Sequence, residues 1–289
     1  MSLALGRRHL AIPVALFVGL GALAPLCVLV VFSVFTVDDF DLVPDLSGRA
    51  WAELVTSGTY RHLIGKALLS GAATAVITAI IGYPVALALA RLPTAWKGVA
   101  VVVLLTPLYT GEIVRIYAWR LVLGAEGLVN AVLEGLGLVD EPLKVLLFTP
   151  FTTGLVLTYN NLPFMVLSIW VSAEMVDRRL IEAARDLGAR PIEAFFKVVL
   201  PLTTPGLAAG IFAVFALAAG EMLTPSLLGG TAGATAMAMI DSLFGTAYDW
   251  PMASALALGL LAALFGCASL AAFLILRLKG ARAVLGRAR

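Results

Sequence analysis

The sequence predicts an all-α membrane protein with six transmembrane helices and both termini in the cytoplasm. Three observations lead to this fold class. Hydrophobic residues make up 61% of the 289 residues and charged residues only 13%, and the mean hydropathy is +1.00. Six apolar stretches approach or exceed the roughly 20 helical residues that cross the hydrocarbon core. Basic residues are concentrated in alternate connecting segments. Soluble domains carry about 25% charged residues, so most of this chain's surface is expected to face lipid.

The six predicted spans show no fixed-period repeat and no low-complexity linker between them, so the sequence predicts one membrane domain over residues 1–289. Each span must be helical, because lipid offers no partner for open backbone groups. The first span follows Arg7 and Arg8 but is too long for a cleaved signal peptide, and we expect an uncleaved signal anchor. A short surface helix is expected near Trp51 to Leu54, in the loop after it. The predicted spans are 10–35, 67–90, 98–121, 145–172, 202–228 and 250–276.

The distribution of Lys and Arg predicts which loops lie in the cytoplasm. With the N-terminus placed inside, 14 of the 20 basic residues fall in cytoplasmic segments and four in outer segments. Arg115 and Arg120 remain, within or at the edge of the third span. An excess of positive charge is typical of cytoplasmic loops. The segment 174–201 is therefore expected on the cytoplasmic side, and the loop 36–66 on the outer side.

The sequence lacks the motifs of common catalytic sites. It has no phosphate-binding G-x-x-x-x-G-K-[ST] loop, no H-E-x-x-H zinc motif and no G-x-S-x-G turn. Its two histidines, His9 and His62, lie outside the predicted spans. We therefore expect no catalytic residue, metal site or cofactor in this chain, and a net charge of +2 gives no reason to expect nucleic acid as a partner. The expected role is to form a path or a binding surface in the membrane.

One predicted cytoplasmic segment, residues 174–201, is more polar than a turn between two helices needs, with ten charged residues. Its periodicity predicts two short amphipathic helices, the first over 177–187. Gly188 can take the left-handed conformation that ends a helix, and Pro191 suits the first turn of the second helix. The fifth span would then begin at Pro201. This bent connector either rests on lipid headgroups or docks a partner protein.

The same segment resembles the EAA loop of ABC importer permeases. That pattern is Glu-Ala-Ala, three residues, Gly, nine residues, an aliphatic residue, any residue and Leu-Pro. This chain matches it with Glu182-Ala183-Ala184, Gly188 and Val198 to Pro201. The resemblance implies a coupling helix that sits in a groove of a separate ATPase subunit. The residues expected to couple to that subunit are Glu182, Ala183, Ala184, Arg185, Asp186, Leu187, Gly188, Ala189 and Pro201.

Shorter motifs along most of the chain resemble the spermidine/putrescine-type permeases of the same family. They are Gly82-Tyr83-Pro84, Arg115-Ile116-Tyr117-Ala118-Trp119, Leu162-Pro163-Phe164-Met165, Thr224 to Gly230 and Asp249-Trp250-Pro251. The resemblance implies a type I importer subunit with a MetI-like ABC permease fold in a bacterial inner membrane. Besides membrane lipid, it implies three kinds of partner: a second homologous permease, two ABC ATPases that hold ATP and Mg, and an extracytoplasmic solute-binding protein. It also implies import of a polyamine or a related cationic amine by ATP-driven alternating access.

Polar and aromatic residues in or next to the predicted spans are candidates for the solute path. A charge at mid-membrane costs about 2.5–3.5 kcal/mol on insertion scales, and carboxylates and aromatic faces attract ammonium groups. Structural roles are open as well, because Glu112 can pair with Arg115 three residues on. Asparagines can bridge helices by hydrogen bonds, aromatic residues can pack against neighbouring helices, and acids near the outer end of a span can face water. The candidate path residues are Glu112, Tyr117, Trp119, Asn160, Glu221 and Asp241.

Two further questions are open. Gly206 and Gly210 form a G-x-x-x-G pattern that suits close helix approach, either within the chain or with a second permease. The second question is the class of protein. If the chain is not an importer subunit, it would be a subunit of an ATP-independent secondary transporter or channel, and a membrane enzyme is the third alternative. An importer subunit is favoured because the polar connector has no role in ion transport, and because the inverted repeats usual in secondary transporters are not visible.

Overall fold

The computed structural model describes the backbone of residues 19–21 and 23–287, and its described side chains end at Phe273 and omit Ala232. Residues 10–18 of the first predicted span and both termini lie outside this part of the chain. The described part is mostly helical and contains one two-stranded sheet. Its helices are α1 (Gly19–Phe32), α2 (Arg49–Thr56), α3 (Gly58–Arg91), α4 (Thr94–Tyr109), α5 (Glu112–Leu123), α6 (Leu128–Gly135), α7 (Pro150–Glu174), α8 (Arg178–Asp186), α9 (Pro191–Ala194), α10 (Leu200–Ala219), α11 (Leu223–Leu228), α12 (Ala236–Gly245) and α13 (Trp250–Arg287).

Five described stretches are long and apolar enough to cross a membrane, and α1, α4 and α12 are shorter apolar helices. The three predicted spans 67–90, 145–172 and 250–276 each correspond to one of these stretches. The number of six membrane-crossing helices and the placement of the termini stay predictions. The five stretches are Gly58–Arg91, Glu112–Gly135, Pro150–Glu174, Pro191–Ala219 and Trp250–Phe273.

The third predicted span, 98–121, is wrong as a single helix, because the structure breaks it between α4 and α5. Thr110 has a ψ of 135°, which is extended backbone. Its hydroxyl donates to the carbonyl oxygen of Pro107 at 2.8 Å, so this carbonyl is satisfied where the helix ends. The uninterrupted hydropathy of the segment conceals the break. As a result, Glu112 stands in the first turn of a new helix.

The second predicted short helix is also wrong as a separate element. The chain runs as one helical stretch over Pro191–Ala219, in which a π-helical turn, Phe195–Val199, joins α9 to α10. In this wider turn the N–H of Leu200 donates to the carbonyl of Phe195. Pro201 has no N–H to continue an ordinary ladder, and the widened turn carries the helix past it. The stretch ends before Gly220, so the fifth predicted span does not reach 228 as one helix.

The chain divides into two compact units, and the prediction of one domain stays a prediction. Of the described residues, the first unit comprises those up to 64 and those from 239 onward. In it, strands β1 (Thr36–Asp38) and β2 (Asp41–Val43) pair antiparallel, and their turn holds Asp39 and Phe40 at positive φ. The expected surface helix after the first span is α2, which packs on α13.

The second unit, residues 65–238, is built around α3, α7 and α10. Gly206 and Gly210 of α10 both face α7: a Cβ at Gly206 would overlap the carbonyl oxygen of Ser168 and the side chain of Ser172, and one at Gly210 would overlap the sulfur of Met165. The G-x-x-x-G pattern therefore serves packing within the chain. Where α3 crosses α10, Gly71 allows a similarly close approach.

Candidate functional site

The exposed corner between α7 and α10 is the first candidate site, and we call residues 177–189 the elbow. Its helix, α8, begins after Asp177, whose carboxylate accepts the N–H of Arg179 at 2.9 Å. The helix ends in a Schellman motif, in which Gly188 donates to the carbonyl of Arg185 at 2.8 Å and Ala189 donates to that of Ala184 at 3.0 Å. Both ends of α8 are therefore fixed by local hydrogen bonds.

Gly188 makes the turn of the elbow possible and leaves it open to a partner. Its φ is +85°, and no heavy atom lies within 4 Å of the position that a Cβ would occupy. Beside it, Leu187 is 90% exposed. Leu180 is also exposed, whereas Ile181 and Ala184, on the same predicted apolar face, are half-buried. Of the other predicted coupling residues, Ala189 is half-buried. The rest are exposed: Glu182, Ala183, Arg185, Asp186 and Pro201.

The elbow is anchored to the rest of the second unit through the helix that follows it. The α8 helix contacts α9 and the π-helical turn. Phe195 in that turn packs edge-on against the ring of Tyr83 in α3, with ring centroids 5.5 Å apart. The hydroxyl of Tyr83 in turn hydrogen-bonds Thr203 of α10. The elbow is therefore supported by the ring contact between Phe195 and Tyr83 and by the hydrogen bond between Tyr83 and Thr203.

The second candidate site is a group of polar side chains that we call the polar cluster: Glu112, Arg115, Asn160 and Glu221. The guanidinium of Arg115 donates to Asn160 Oδ1 at 3.1 Å and to the carbonyl of Thr110 at 3.3 Å. The carboxyl group of Glu221 is close enough to that of Glu112 for the two to interact electrostatically. The cluster therefore joins α5, α7 and the segment between α10 and α11.

The pair of Glu112 with Arg115 that helical spacing permits does not form. Lys97 forms an ion pair with Glu174, which ties the start of α4 to the end of α7. Arg115 instead bridges to α7 through Asn160. One carboxylate oxygen, Glu112 Oε1, is buried and has no hydrogen-bond partner in the described structure.

Glu221 stands where the helix ends after Ala219, and its carboxylate caps α11. Its Oε1 accepts the N–H of Leu223 at 3.1 Å and that of Thr224 at 3.3 Å. Glu221 also lines a cleft of about 250 Å³ between α3, α7 and α11, whose other lining residues are mostly small or apolar. A carboxylate in these surroundings is only partly open to water.

The polar cluster does not include the remaining predicted path residues. Tyr117 is 51% exposed and its ring lies under the guanidinium of Arg120, 5.4 Å from the ring centroid. Trp119 packs edge-on against Tyr159. Asp241 is exposed on α12, in the first unit.

The structure also reveals polar groups that the sequence gave no reason to single out. Thr224 is fully buried and Thr158 is 7% exposed, and the hydroxyl of each has no partner in the described structure. Asn161, by contrast, donates to the carbonyl of Leu157 in its own helix. Threonines are common in membrane helices and usually bond the backbone of their own helix. A threonine in the sequence therefore does not indicate a functional site. In the described part of the chain, no three His, Cys, Asp or Glu side chains converge as metal ligands would.

Comparison with known proteins places this fold in a family. Residues 136–279 match the family described as binding-protein-dependent transport system inner membrane component. The chain is 36% identical over 202 residues to the spermidine/putrescine transport system permease protein PotB of Haemophilus influenzae, and the alignment covers 70% of each chain.

Two solved structures share the fold. One is a bacterial ABC transporter involved in the import of the acidic polysaccharide alginate, with a TM-score of 0.71 and 15% identity over 93% of this chain and 94% of that chain. The other is a bacterial alginate ABC transporter in complex with an alginate pentasaccharide-bound periplasmic protein, with a TM-score of 0.69 and 13% identity over 89% of this chain and 91% of that chain. The resemblance found in the sequence is confirmed. This chain belongs to the family of binding-protein-dependent transport inner-membrane components and is an integral inner-membrane permease subunit of an ABC importer.

Proposed function

We propose that this permease forms one half of a transmembrane pore and that ATP-driven alternating access moves a polyamine or a related cationic amine through it. The elbow is the observation that carries the coupling to ATP. It presents Leu187 and Leu180 to solvent on a turn that local hydrogen bonds hold in place. Exposed apolar side chains on a fixed support suit a groove on a partner protein. We place the elbow on the cytoplasmic side, where the excess of positive charge predicts it.

The proposed partners supply the functions that this chain lacks. Two ABC ATPases would hold ATP and Mg and receive the elbow, with exposed Glu182, Arg185 and Asp186 available to pair with charges on their surface. A second homologous permease would form the other half of the pore. An extracytoplasmic solute-binding protein would deliver the solute, and the alginate transporter complexed with its loaded periplasmic protein supports this assignment. Each partner can shift the pore between two states only through contacts that differ between them.

The proposed solute rests on the polar cluster and on the similarity to PotB. The cluster brings two carboxyl groups, Glu112 and Glu221, next to one guanidinium, Arg115. An ammonium group gains from such an excess of acids. Tyr117, Trp119 and Asp241 stay proposed contributors at other points of the path, where aromatic faces and a carboxylate would offer weak, transient contacts to a cation.

Co-purification tests the coupling. A tagged permease taken from its native membrane in mild detergent is expected to bring down an ATPase, and Leu187→Ser should reduce the amount recovered while the permease itself still inserts. Uptake of solute by the purified assembly with no nucleotide-hydrolysing partner would favour an ATP-independent transporter or channel and would remove the proposal.

Uptake measurements test the path. In proteoliposomes holding the whole transporter, Glu112→Gln and Glu221→Gln should each lower ATP-dependent uptake of labelled putrescine at equal protein levels. Glu134→Gln is the matched control, since Glu134 is exposed on α6 and lies outside the polar cluster. Unchanged uptake in both cluster variants would remove these residues from the path.

A further inference from the structure

The side chain of Arg120 contacts two aromatic rings, one on its own helix and one in the segment before α7. Its guanidinium carbon lies 5.4 Å from the ring centroid of Tyr117 and 5.3 Å from that of Phe148. A guanidinium that lies over aromatic rings keeps its N–H donors at its edge. In the described part of the chain these donors have no hydrogen-bond or ion-pair partner. Arg120 therefore presents an oriented positive charge that lacks an anion.

The backbone holds Phe148 in this place at a conformational cost. Its φ is +61°, a left-handed conformation that a bulky residue rarely adopts. A Cβ on Gly230 would lie 2.5 Å from the carbonyl oxygen of Phe148, so a glycine is needed where the two segments meet. Residues in such conformations persist where the surrounding structure fixes them, and they are frequent at ligand-binding sites. The fold thus fixes the second ring beside Arg120.

The surface next to Arg120 is apolar. Leu121, the following residue, and Phe151, in the first turn of α7, are both exposed. Arg120 lies in the last turn of α5, within a stretch that is long and apolar enough to cross a membrane. Basic side chains near the end of a membrane helix extend to the lipid headgroups. A cation beside exposed apolar side chains therefore suits a phospholipid, which offers a phosphate and acyl chains together.

The charges that follow α5 in the sequence leave Arg120 open to a ligand. Four acids lie between α5 and α7, all of them exposed, and none forms an ion pair with Arg120. They are Glu126, Glu134, Asp140 and Glu141. A purely structural role, in which Arg120 complements the negative end of the α5 dipole, needs a positive charge but neither of the two rings. The planar guanidinium instead matches two oxygens of a phosphate.

We infer that Arg120, held between Tyr117 and Phe148, binds the phosphate of an anionic phospholipid whose acyl chains lie along the apolar surface beside it. A lipid with a net negative charge is favoured, because the ammonium of a zwitterionic headgroup is repelled by the same guanidinium. This site depends neither on the proposed solute nor on the proposed coupling. The face of Tyr117 that Arg120 covers is not open to a solute.

Lipid titration of the purified permease and ATPase complex tests this inference. In mild detergent, native mass spectrometry should show that phosphatidylglycerol binds more tightly than phosphatidylcholine with the same acyl chains. Arg120→Gln should weaken phosphatidylglycerol binding about tenfold, the equivalent of one hydrogen bond from a charged group. Tyr117→Leu keeps the charge but removes one ring, and it should weaken binding about threefold. Arg61→Gln is the control, since Arg61 is exposed on α3, and it should bind as the wild type does.

Thermal unfolding provides a second measurement and shows whether each variant is folded without lipid. Phosphatidylglycerol should raise the Tm of the wild type and of Arg61→Gln more than that of Arg120→Gln, because a ligand stabilises the state that binds it. Equal phosphatidylglycerol affinity in Arg120→Gln and Arg61→Gln would overturn the site.

Two other results would assign Arg120 to a different ligand and also overturn the lipid site. The first is a rise in Tm with glycerol 3-phosphate, which has no acyl chains, as large as that with phosphatidylglycerol, since this would indicate a soluble phosphate. The second is a loss of binding to the solute-binding protein in Arg120→Gln while its affinity for phosphatidylglycerol is unchanged. That result would indicate a carboxylate of the partner protein.

Discussion

Substitutions at Gly188 can separate the backbone geometry of the elbow from its contact with a partner. Gly188 has a φ of +85° and open space where a Cβ would stand, so a side chain there costs conformational energy without a clash inside the chain. A residue that has a Cβ costs roughly 1–2 kcal/mol in the left-handed region, and β-branched residues are true outliers there. Since about 1.4 kcal/mol is tenfold in an equilibrium, Gly188→Val should reduce the ratio of the closed to the open corner roughly tenfold.

Hydrogen exchange at the corner measures this directly. The N–H of Ala189, which donates to Ala184 at 3.0 Å, should exchange about tenfold faster in Gly188→Val. Gly188→Asn is the control, because asparagine is the commonest substitute for glycine at this helix position, and it should keep the protection. Gly188→Asp is also tolerated in this region, but it places a carboxylate on the open face of the elbow.

Solute-stimulated ATP hydrolysis by the assembled transporter then shows whether coupling depends on the backbone geometry of the elbow or on its contact with a partner. Gly188→Val and Gly188→Asp should both lower solute-stimulated ATP hydrolysis, the first by opening the turn at Gly188 and the second by placing a carboxylate on the face that contacts the partner, while both proteins still insert. Gly188→Asn should lose much less. Normal stimulated hydrolysis in both the Val and the Asp variants would refute the coupling role of the elbow.

Three further predictions concern stability and are read from thermal unfolding of the detergent-solubilised permease. Gly206→Ala should destabilise by about 1–3 kcal/mol through overpacking against α7, whereas Gly65→Ala, with nothing within 4 Å, should be neutral or stabilising; equal effects would contradict the close packing. Asn160→Leu should cost about 1.5–3 kcal/mol by removing a hydrogen bond from a charged guanidinium, and Asn161→Leu clearly less, since that amide bonds only its own helix. Lys97→Met removes a partly exposed ion pair and should cost at most about 1 kcal/mol, with the loss shrinking in high salt; a larger, salt-independent loss would contradict a partly exposed pair.

Local signals in the sequence predicted the elbow well, because short-range hydrogen bonds decide it. Gly188 and Pro191 each act on the backbone within a few residues, and the structure gives them the left-handed turn and the helix start expected of them. The cap by Asp177 is a finding of the structure. Pro201 misled the prediction, because a proline is often a helix boundary, and here the π-helical turn lets the helix continue through it. The break at Thr110 was hidden for a related reason, since hydropathy measures burial in lipid and not hydrogen bonding.

The polar cluster could be predicted only in part. The cost of a charge in the membrane singled out Glu112 and Glu221. Their proximity depends on how α5 packs against α11, which follows Glu221, and spacing along one helix does not encode that packing. For the same reason, helical spacing suggested that Glu112 pairs with Arg115, whereas packing of α5 on α7 gives Arg115 a partner in Asn160. Within one chain, only the packed structure shows which of two spatial neighbours a long side chain selects.

Two packed helices link the elbow to one side of the polar cluster. The helical stretch Pro191–Ala219 spans 29 residues, about 43 Å at 1.5 Å per residue, from the end of the elbow to just before Glu221. On the other side of the elbow, α7 carries Asn160, and close packing at Gly206 and Gly210 holds these two helices together. Tightly packed helices transmit a displacement rather than absorb it. In the proposed importer, a pull on the elbow therefore moves Asn160 and Glu221 together, away from Arg115 and Glu112 on α5. The contacts that such a movement breaks are the bond between Arg115 and Asn160 and the electrostatic interaction between the two carboxyl groups, which are the groups proposed to hold the solute.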